Sequence, residues 1–226
     1  MEGITRCSLI PALALACAFS GAGQSALETD PSGWIDLTPP ADLQGWTRIP
    51  VPPTDGVKPP NQWSVRDGVV ICTGKGQHEW LRSDAEYANF ILHVEWMAKA
   101  RDGNYNSGIG VRMSPWVEIW HQAQTTPKGG YLFGNTFTGG AIQRVSLAQE
   151  MAENRLRPAG EWNTFEIRCE GGTMTLWVNG AVVNTWKDSQ VRRGHIGLEA
   201  EGYEMHFRNV KLNPTFAIRG SKAAKV

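Results

Sequence analysis

The feature that most constrains this chain is apolar alternation with a period of two, repeated along most of its length. Phe90, Leu92, Val94 and Trp96 are interleaved with Ile91, His93, Glu95 and Met97. Ile109, Val111 and Met113 alternate with Gly110 and Arg112, and Trp116 to Gln122 reads as a further strand. Phe165, Ile167 and Cys169 form one side of a run that stops at Gly171-Gly172, and Met174, Leu176 and Val178 follow. Ile196, Leu198 and Ala200 alternate with His195, Gly197 and Glu199. Tyr203, Met205 and Phe207 alternate with Glu204, His206 and Arg208. Successive side chains of a strand point to opposite faces, so each run describes a strand with one buried side. Asp67-Gly68 and Asn179-Gly180 stand between apolar runs as two-residue hairpin turns. Long strands separated by frequent turns predict an all-β domain of two antiparallel sheets packed face to face.

The rest of the chain is read around that frame. Its 226 residues fit one domain. The 22 basic and 22 acidic side chains cancel, so the basic excess of a nucleic-acid binder is missing. With 41% hydrophobic and 19% charged residues, a disordered chain is excluded. Ten tryptophans mean that the core or a ligand surface uses indole heavily. Arg6, the apolar run Leu9 to Phe19 and the small residues Ser20 to Gly23 have the layout of a secretory signal peptide over 1–22. The apolar run is too short to span a bilayer, so the mature chain is expected to carry no transmembrane segment. The expected location is periplasmic or extracellular. A variant layout acylates Cys17 in a partial lipobox, Ala14-Leu15-Ala16-Cys17, and anchors the protein to lipid. The domain is expected over 28–214, with a flexible basic tail over 215–226. Glu28 to Pro60 reads as an irregular, proline-rich arm, Ala123 to Pro158 as a long loop region and Ser146 to Asn154 as a short helix within it. Cys72 and Cys169 can form one bridge in an exported protein or remain two buried thiols.

Alternation also sorts the polar side chains by face. Val117, Ile119 and His121 take one side of their strand, while Trp116, Glu118, Trp120 and Gln122 take the other. Arg112 shares a side with Gly108 and Gly110, His195 and Glu199 oppose the apolar side of their run, and Trp177 does the same on its own. One sheet face is therefore expected to show Arg112, Glu118, Trp120, Trp177, His195 and Glu199, with Gly108, Gly110 and Gly197 leaving floor space for a ligand. Indoles beside carboxylates suit sugars, whose CH faces stack on rings while their hydroxyls meet planar polar groups. Two carboxylates can also supply acid–base chemistry. Taken singly, each residue has a blander use: an outward Glu is usually solvated, and Arg112 is more commonly an ion-pair partner. His78, His93 and His206 have no spacing that marks a site. No Cys/His spacing for zinc is present, and a calcium loop at Asp102-Gly103-Asn104 lacks its remaining ligands.

Several segments in order carry a resemblance. Asn106-Ser107-Gly108-Ile109, Gly139-Gly140-Ala141-Ile142, Gly160-Glu161-Trp162-Asn163-Thr164-Phe165-Glu166, Leu176-Trp177-Val178-Asn179-Gly180 and Phe207-Arg208-Asn209-Val210 resemble the 3-keto-disaccharide hydrolase family over Gly33 to Leu212. The resemblance implies a concanavalin- or laminin-G-like jelly-roll sandwich in an exported bacterial protein, with a carbohydrate as its small-molecule substrate. It implies cleavage of 3-keto-glycosides: a base takes the acidified C2 proton, the aglycone leaves C1, and water adds to the enone. By position Glu118 is expected as the base, Arg112 as enolate stabiliser, and Glu199 or His195 as the acid for the leaving group. Asn106, Trp120, His121, Gln143 and Trp177 are expected to bind substrate, Gln143 standing where the family often has Tyr. A divalent metal such as calcium is the one cofactor left open, as a replacement for Arg112. The alternative function on the same face is a non-catalytic carbohydrate-binding module, and a third is a structural envelope protein without a site.

Overall fold

The computed structural model describes residues 23–53, 60–100 and 103–215. The expected signal peptide, with Cys17, and all but the first residue of the basic tail lie outside these. The strands in chain order are β1 (Ile35–Asp36), β2 (Trp46–Pro50), β3 (Trp63–Arg66), β4 (Val69–Cys72), β5 (Glu79–Tyr87), β6 (Phe90–Ala98), β7 (Gly108–Met113), β8 (Trp120–Gln124), β9 (Leu132–Thr138), β10 (Ala141–Ser146), β11 (Asn163–Glu170), β12 (Thr173–Val178), β13 (Ala181–Trp186), β14 (Gly194–Ala200) and β15 (Met205–Pro214). One sheet has the order β13-β12-β11-β6-β15-β4-β3, with β1 also on β15, which makes eight strands. The other has seven, in the order β10-β9-β8-β7-β14-β5-β2. Neighbours pair antiparallel throughout, for instance Phe165 with Val94 and Val178, and Leu198 with Ile109 and Leu81. The two antiparallel sheets read from the alternation, and the jelly roll that the resemblance implies, are the fold.

The apolar sides of the two sheets meet as one core. Leu92, Val94, Trp96, Phe165, Ile167 and Leu176 come from the eight-stranded sheet, and Leu81, Ile109, Val111, Ile196 and Leu198 from the other. Fully burying one such side chain is worth about 1.5–3 kcal/mol, so the core is what holds the sheets together. The hairpin turns sit where their residues allow left-handed backbone: φ is 51° at Asp67 and 73° at Gly68, and 42° at Asn179 and 110° at Gly180. Cys72 and Cys169 are both buried free thiols, and burial pushes each up to about 12. The outer face of the eight-stranded sheet is crossed by the N-terminal segment. There the buried carboxylate of Glu166 accepts the N–H groups of Ala26 at 2.7 Å and Leu27 at 3.1 Å, and it pairs with His93 at 2.9 Å.

Four expectations about elements need correction. The strand expected from Trp116 begins only at Trp120, because Ser114 to Ile119 is a turn: Ser114 and Ile119 pair through their backbones and Val117 has φ 66°. The expected loop from Ala123 to Pro158 contains the β9–β10 hairpin, an edge pair whose polar residues and glycines hide the period of two. The expected helix at Ser146 to Asn154 is one 3-10 turn, Ala148–Glu150. The expected arm before Pro60 contributes the helical turn Ala26–Thr29 and the edge strands β1 and β2.

Candidate functional site

The outer face of the seven-stranded sheet is built by the residues that alternate with its core positions. Trp80 of β5 stands opposite Glu199 of β14, and Arg82 opposite Gly197. On β8 the outward residues are Trp120, Gln122 and Gln124, on β9 Phe133, Asn135 and Phe137, and on β10 Ile142, Arg144 and Ser146. Glycines lie beneath them, but their space is already filled. A Cβ on Gly108 would meet the Gln122 side chain, and one on Gly110 or Gly197 would meet Met113 and Trp80. The expected bare floor is therefore filled by the indole of Trp80, the thioether of Met113 and the amide of Gln122, all buried.

A chain of hydrogen bonds runs across one end of this face. His78, in the loop before β5, contacts the Glu199 carboxylate through Nε2 at 2.9 Å. Gln122 Nε2 donates to the other Glu199 oxygen at 2.9 Å and to Gln124 Oε1 at 2.6 Å. Gln124 Nε2 in turn donates to Asn106 Oδ1 at 2.8 Å. Glu199 is only 4% exposed. Burial pushes its carboxyl above the usual carboxylate range, against the hydrogen bonds from His78 and Gln122. Burial alone would lower His78, but its hydrogen bond to Glu199 and the charge of that carboxylate outweigh burial and raise it. Both shifts point the same way: the pair keeps one proton to higher pH than either group would alone.

The other half of the face is aromatic. Trp80 and Trp120 lie with ring centroids 6.4 Å apart, Trp120 and Phe133 meet edge to face at 5.0 Å, and Phe133 and Tyr131 are 5.8 Å apart. The Arg144 guanidinium lies over Trp120 at 4.8 Å and over Phe133 at 4.9 Å. A row of mutually tilted rings beside a buried carboxylate, an imidazole and amides can stack a sugar ring on its accessible member, Trp120, bind hydroxyls and move a proton. His78, Glu199 and Glu201 also bring donor atoms within 4.8 Å of one another. One imidazole with two carboxylates is a set for a first-row divalent ion rather than the all-oxygen set calcium takes.

The expected residues divide sharply. Glu199, Trp120 and Asn106 share the face as described. Arg112 does not. Its φ of 50° turns the side chain off the face and puts Met113 there instead, and its guanidinium donates to the carbonyls of Gly171, Val191 and Ala88. Glu118 sits exposed in the turn before β8 and accepts from Ser114 Oγ at 2.8 Å. His195 is buried at the far end of β14, beyond a bulge, with Nδ1 against the carbonyl of Ser83 at 2.8 Å. His121 faces the core, where Nε2 meets Thr136 Oγ1 at 2.9 Å and the ring abuts Trp186. Trp177 belongs to β12 and lies on the outer face of the other sheet, beside Glu166. Gln143 alternates with Arg144 on the exposed edge strand and so points away from the rings. What the sequence reading missed is His78, Trp80, Gln122 with Gln124 as a relay, and the Phe133–Arg144 end. The signal for Gln122 and Gln124 was present as alternation with Ala123, whereas His78 pairs with a residue 121 positions away.

Residues 33–213 match the family described as the 3-keto-alpha-glucoside-1,2-lyase-like domain. The chain belongs to that family. A comparison with curated proteins found no match. Among solved structures, a glycosyl hydrolase candidate from Parabacteroides distasonis superposes with a TM-score of 0.60 at 18% identity, over 87% of this chain and 100% of that one. A carbohydrate-binding module from Bacillus subtilis gives a TM-score of 0.53 at 16% identity, over 74% of this chain and 94% of that one. A β-1,3-1,4-glucanase from a mouse hindgut metagenome gives 0.53 at 14% identity, over 81% and 99%. At these identities the likeness establishes the jelly-roll fold that this family member shares with enzymes and binding modules alike.

Proposed function

We propose that this protein cleaves 3-keto-glycosides on the outer face of its seven-stranded sheet, with the His78–Glu199 pair moving the protons. The observation that carries the reading is the bond between His78 Nε2 and the buried Glu199 carboxylate, at the edge of the aromatic row. Glu199 holds the tautomer with hydrogen on Nε2, which leaves the Nδ1 lone pair of the half-buried imidazole as the base. In the reaction Nδ1 takes the C2 proton of the 3-keto sugar and the C2–H electrons form the enolate. The enolate then expels the aglycone from C1, leaving a C1=C2 enone. The imidazolium protonates the departing oxygen, and water adds at C1 to complete the hydrolysis. In this reading Asn106, at the open end of the Gln122–Gln124 relay, meets a hydroxyl, and Trp120 stacks the ring, with Trp80 buried beside it.

The test is release of aglycone from a 3-keto-glucoside by the purified protein, beside His78→Ala. Turnover is expected from the wild type and a loss of about 10²–10⁴-fold from the variant. A chelator is expected to leave the rate unchanged; loss with chelator and recovery with a divalent ion would instead assign His78, Glu199 and Glu201 to a cation. Absence of turnover on any keto-glycoside, with saccharide binding intact, would establish the binding-module reading.

A further inference from the structure

We infer that Gln62 is a positioning residue for His78: its buried side-chain amide clamps the loop that carries the imidazole and so fixes where Nδ1 meets the substrate. The inference rests on the proposed reaction and adds to it a residue from outside the site. His78 ends the loop 73–78, which joins β4 of one sheet to β5 of the other. A loop is a poor mount for a general base, because a shift of about 1 Å in a reacting group can cost roughly 10²-fold in rate. Here the mount is held from behind. Gln62, the residue before β3, is 4% exposed. Its Oε1 accepts the N–H of Gly76 at 3.0 Å, and its Nε2 donates to the Gln77 carbonyl at 2.7 Å and to Glu79 Oε1 at 2.9 Å. The Gln62 carbonyl takes the N–H of Thr73 at 2.9 Å, so one residue holds the loop at its start and at both positions before His78. Val51 N–H in turn donates to the His78 carbonyl at 2.9 Å.

The anchor is itself fixed. Glu79 is wholly buried on the side of β5 that Leu81 shares, and besides Gln62 it accepts Trp63 Nε1 at 2.9 Å and the Arg48 guanidinium. With Glu79 turned inward, its neighbour His78 turns outward to Glu199. Packing leaves the loop no slack. A Cβ on Gly76 would meet the amide carbon and nitrogen of Gln62 at 2.8 Å, and one on Gly74, at φ 66°, would meet the backbone of Tyr203. The clamp is also specific to an amide. A carboxylate in its place could not donate to Gln77 and Glu79, and a methionine would offer no donor.

The test compares the wild type with Gln62→Met, Gly76→Ala and Trp63→Phe. The first removes the amide at nearly constant shape. The second sets a methyl group against it from the surface loop, so the fold is expected to stand. The third removes another donor to Glu79 Oε1 and no bond to the loop. His78 is read directly by NMR: its Nε2–H, bonded to Glu199, is expected to give a slowly exchanging imidazole signal that His78→Ala lacks. Gln62→Met and Gly76→Ala are expected to lose that signal and about 10²-fold in kcat on a 3-keto-glucoside, with KM nearly unchanged because Asn106 and Trp120 stay in place. Trp63→Phe is expected to keep both while its urea midpoint falls. If Gln62→Met does not fold, Gly76→Ala decides. A signal missing from the wild type, or one that survives both substitutions, overturns the clamp. So does an equal loss of kcat in Trp63→Phe, which would mark a general softening of the fold. The two readings fail separately: no turnover by the wild type, with the signal present and lost in the loop variants, sinks the reaction alone, and turnover untouched by either variant sinks the positioning role alone.

Discussion

Glu199 can sit inside a sheet as a functional carboxylate because its two oxygens are met by an imidazole and an amide, while its strand neighbours Leu198 and Ala200 hold the backbone in the core. A buried carboxylate without such partners would be prohibitively costly, and with them it raises the basicity of His78. The sign for activity follows from the working form, which is the neutral imidazole. Because His78 titrates above its ordinary value, kcat/KM rises as pH passes through that raised value. Glu199→Gln removes the charge and keeps the shape. Burial of the imidazole is then opposed by the Glu201 charge alone, so the limb moves to lower pH while the plateau drops by roughly 10²-fold. A pH–rate profile unchanged in both position and height would remove the pair from the mechanism. Glu118→Gln gives the opposite control. Its carboxylate is exposed and bonded to Ser114, so turnover indistinguishable from the wild type is expected. At this scale alternation made Glu199, Trp120 and Gln122 legible. It could not find His78, which lies in a loop and depends on a contact that only the folded β5–β14 pairing creates.

At the scale of elements, β7 shows how one residue undoes a face assignment. Ile109 and Val111 enter the core as the period of two requires, and then the left-handed φ at Arg112 inserts a kink that swaps the next two side chains. The period carries no mark of it, since the cause is three carbonyls, of Ala88, Gly171 and Val191, delivered by distant loops. The buried guanidinium ties those loops together at one end of the sandwich. Arg112→Met would leave the carbonyls unpaired and is expected to cost about 3 kcal/mol of stability, measured by urea unfolding. Its folded fraction should keep the wild-type kcat. A full-stability variant with kcat down by orders of magnitude would return Arg112 to the chemistry. The same contrast explains which strands could be read. β6, β11, β12 and β14 are central and alternate cleanly, while β5 runs polar through Asp84 to Glu86 and β9–β10 ends the sheet with glycine, threonine and exposed side chains.

Across the whole molecule the two sheets meet through apolar side chains, and His121 is a titratable group placed between them. It leaves β8 on the core side, bonds Thr136 of its own sheet and lies with its ring 5.0 Å from that of Trp186 on the other. Burial, and next the charge of Arg112, push it down to about 4 from an ordinary 6.5. A histidine whose folded value is lowered has one sign in linkage: the unfolded chain binds the proton first. Its contribution to stability is complete above 6.5, is lost as pH falls from 6.5 to about 4, and does not change further below that. The loss over this window is roughly 3 kcal/mol. His121→Gln keeps a partner for Thr136 and removes the titration. The variant should be the less stable protein at pH 8 and should lose less on acidification, so the gap in urea midpoint between the two narrows between pH 7 and 4. A gap that stays constant over that range would mean that His121 is protonated in the folded core, and acid sensitivity of the sandwich would then have to come from its carboxylates.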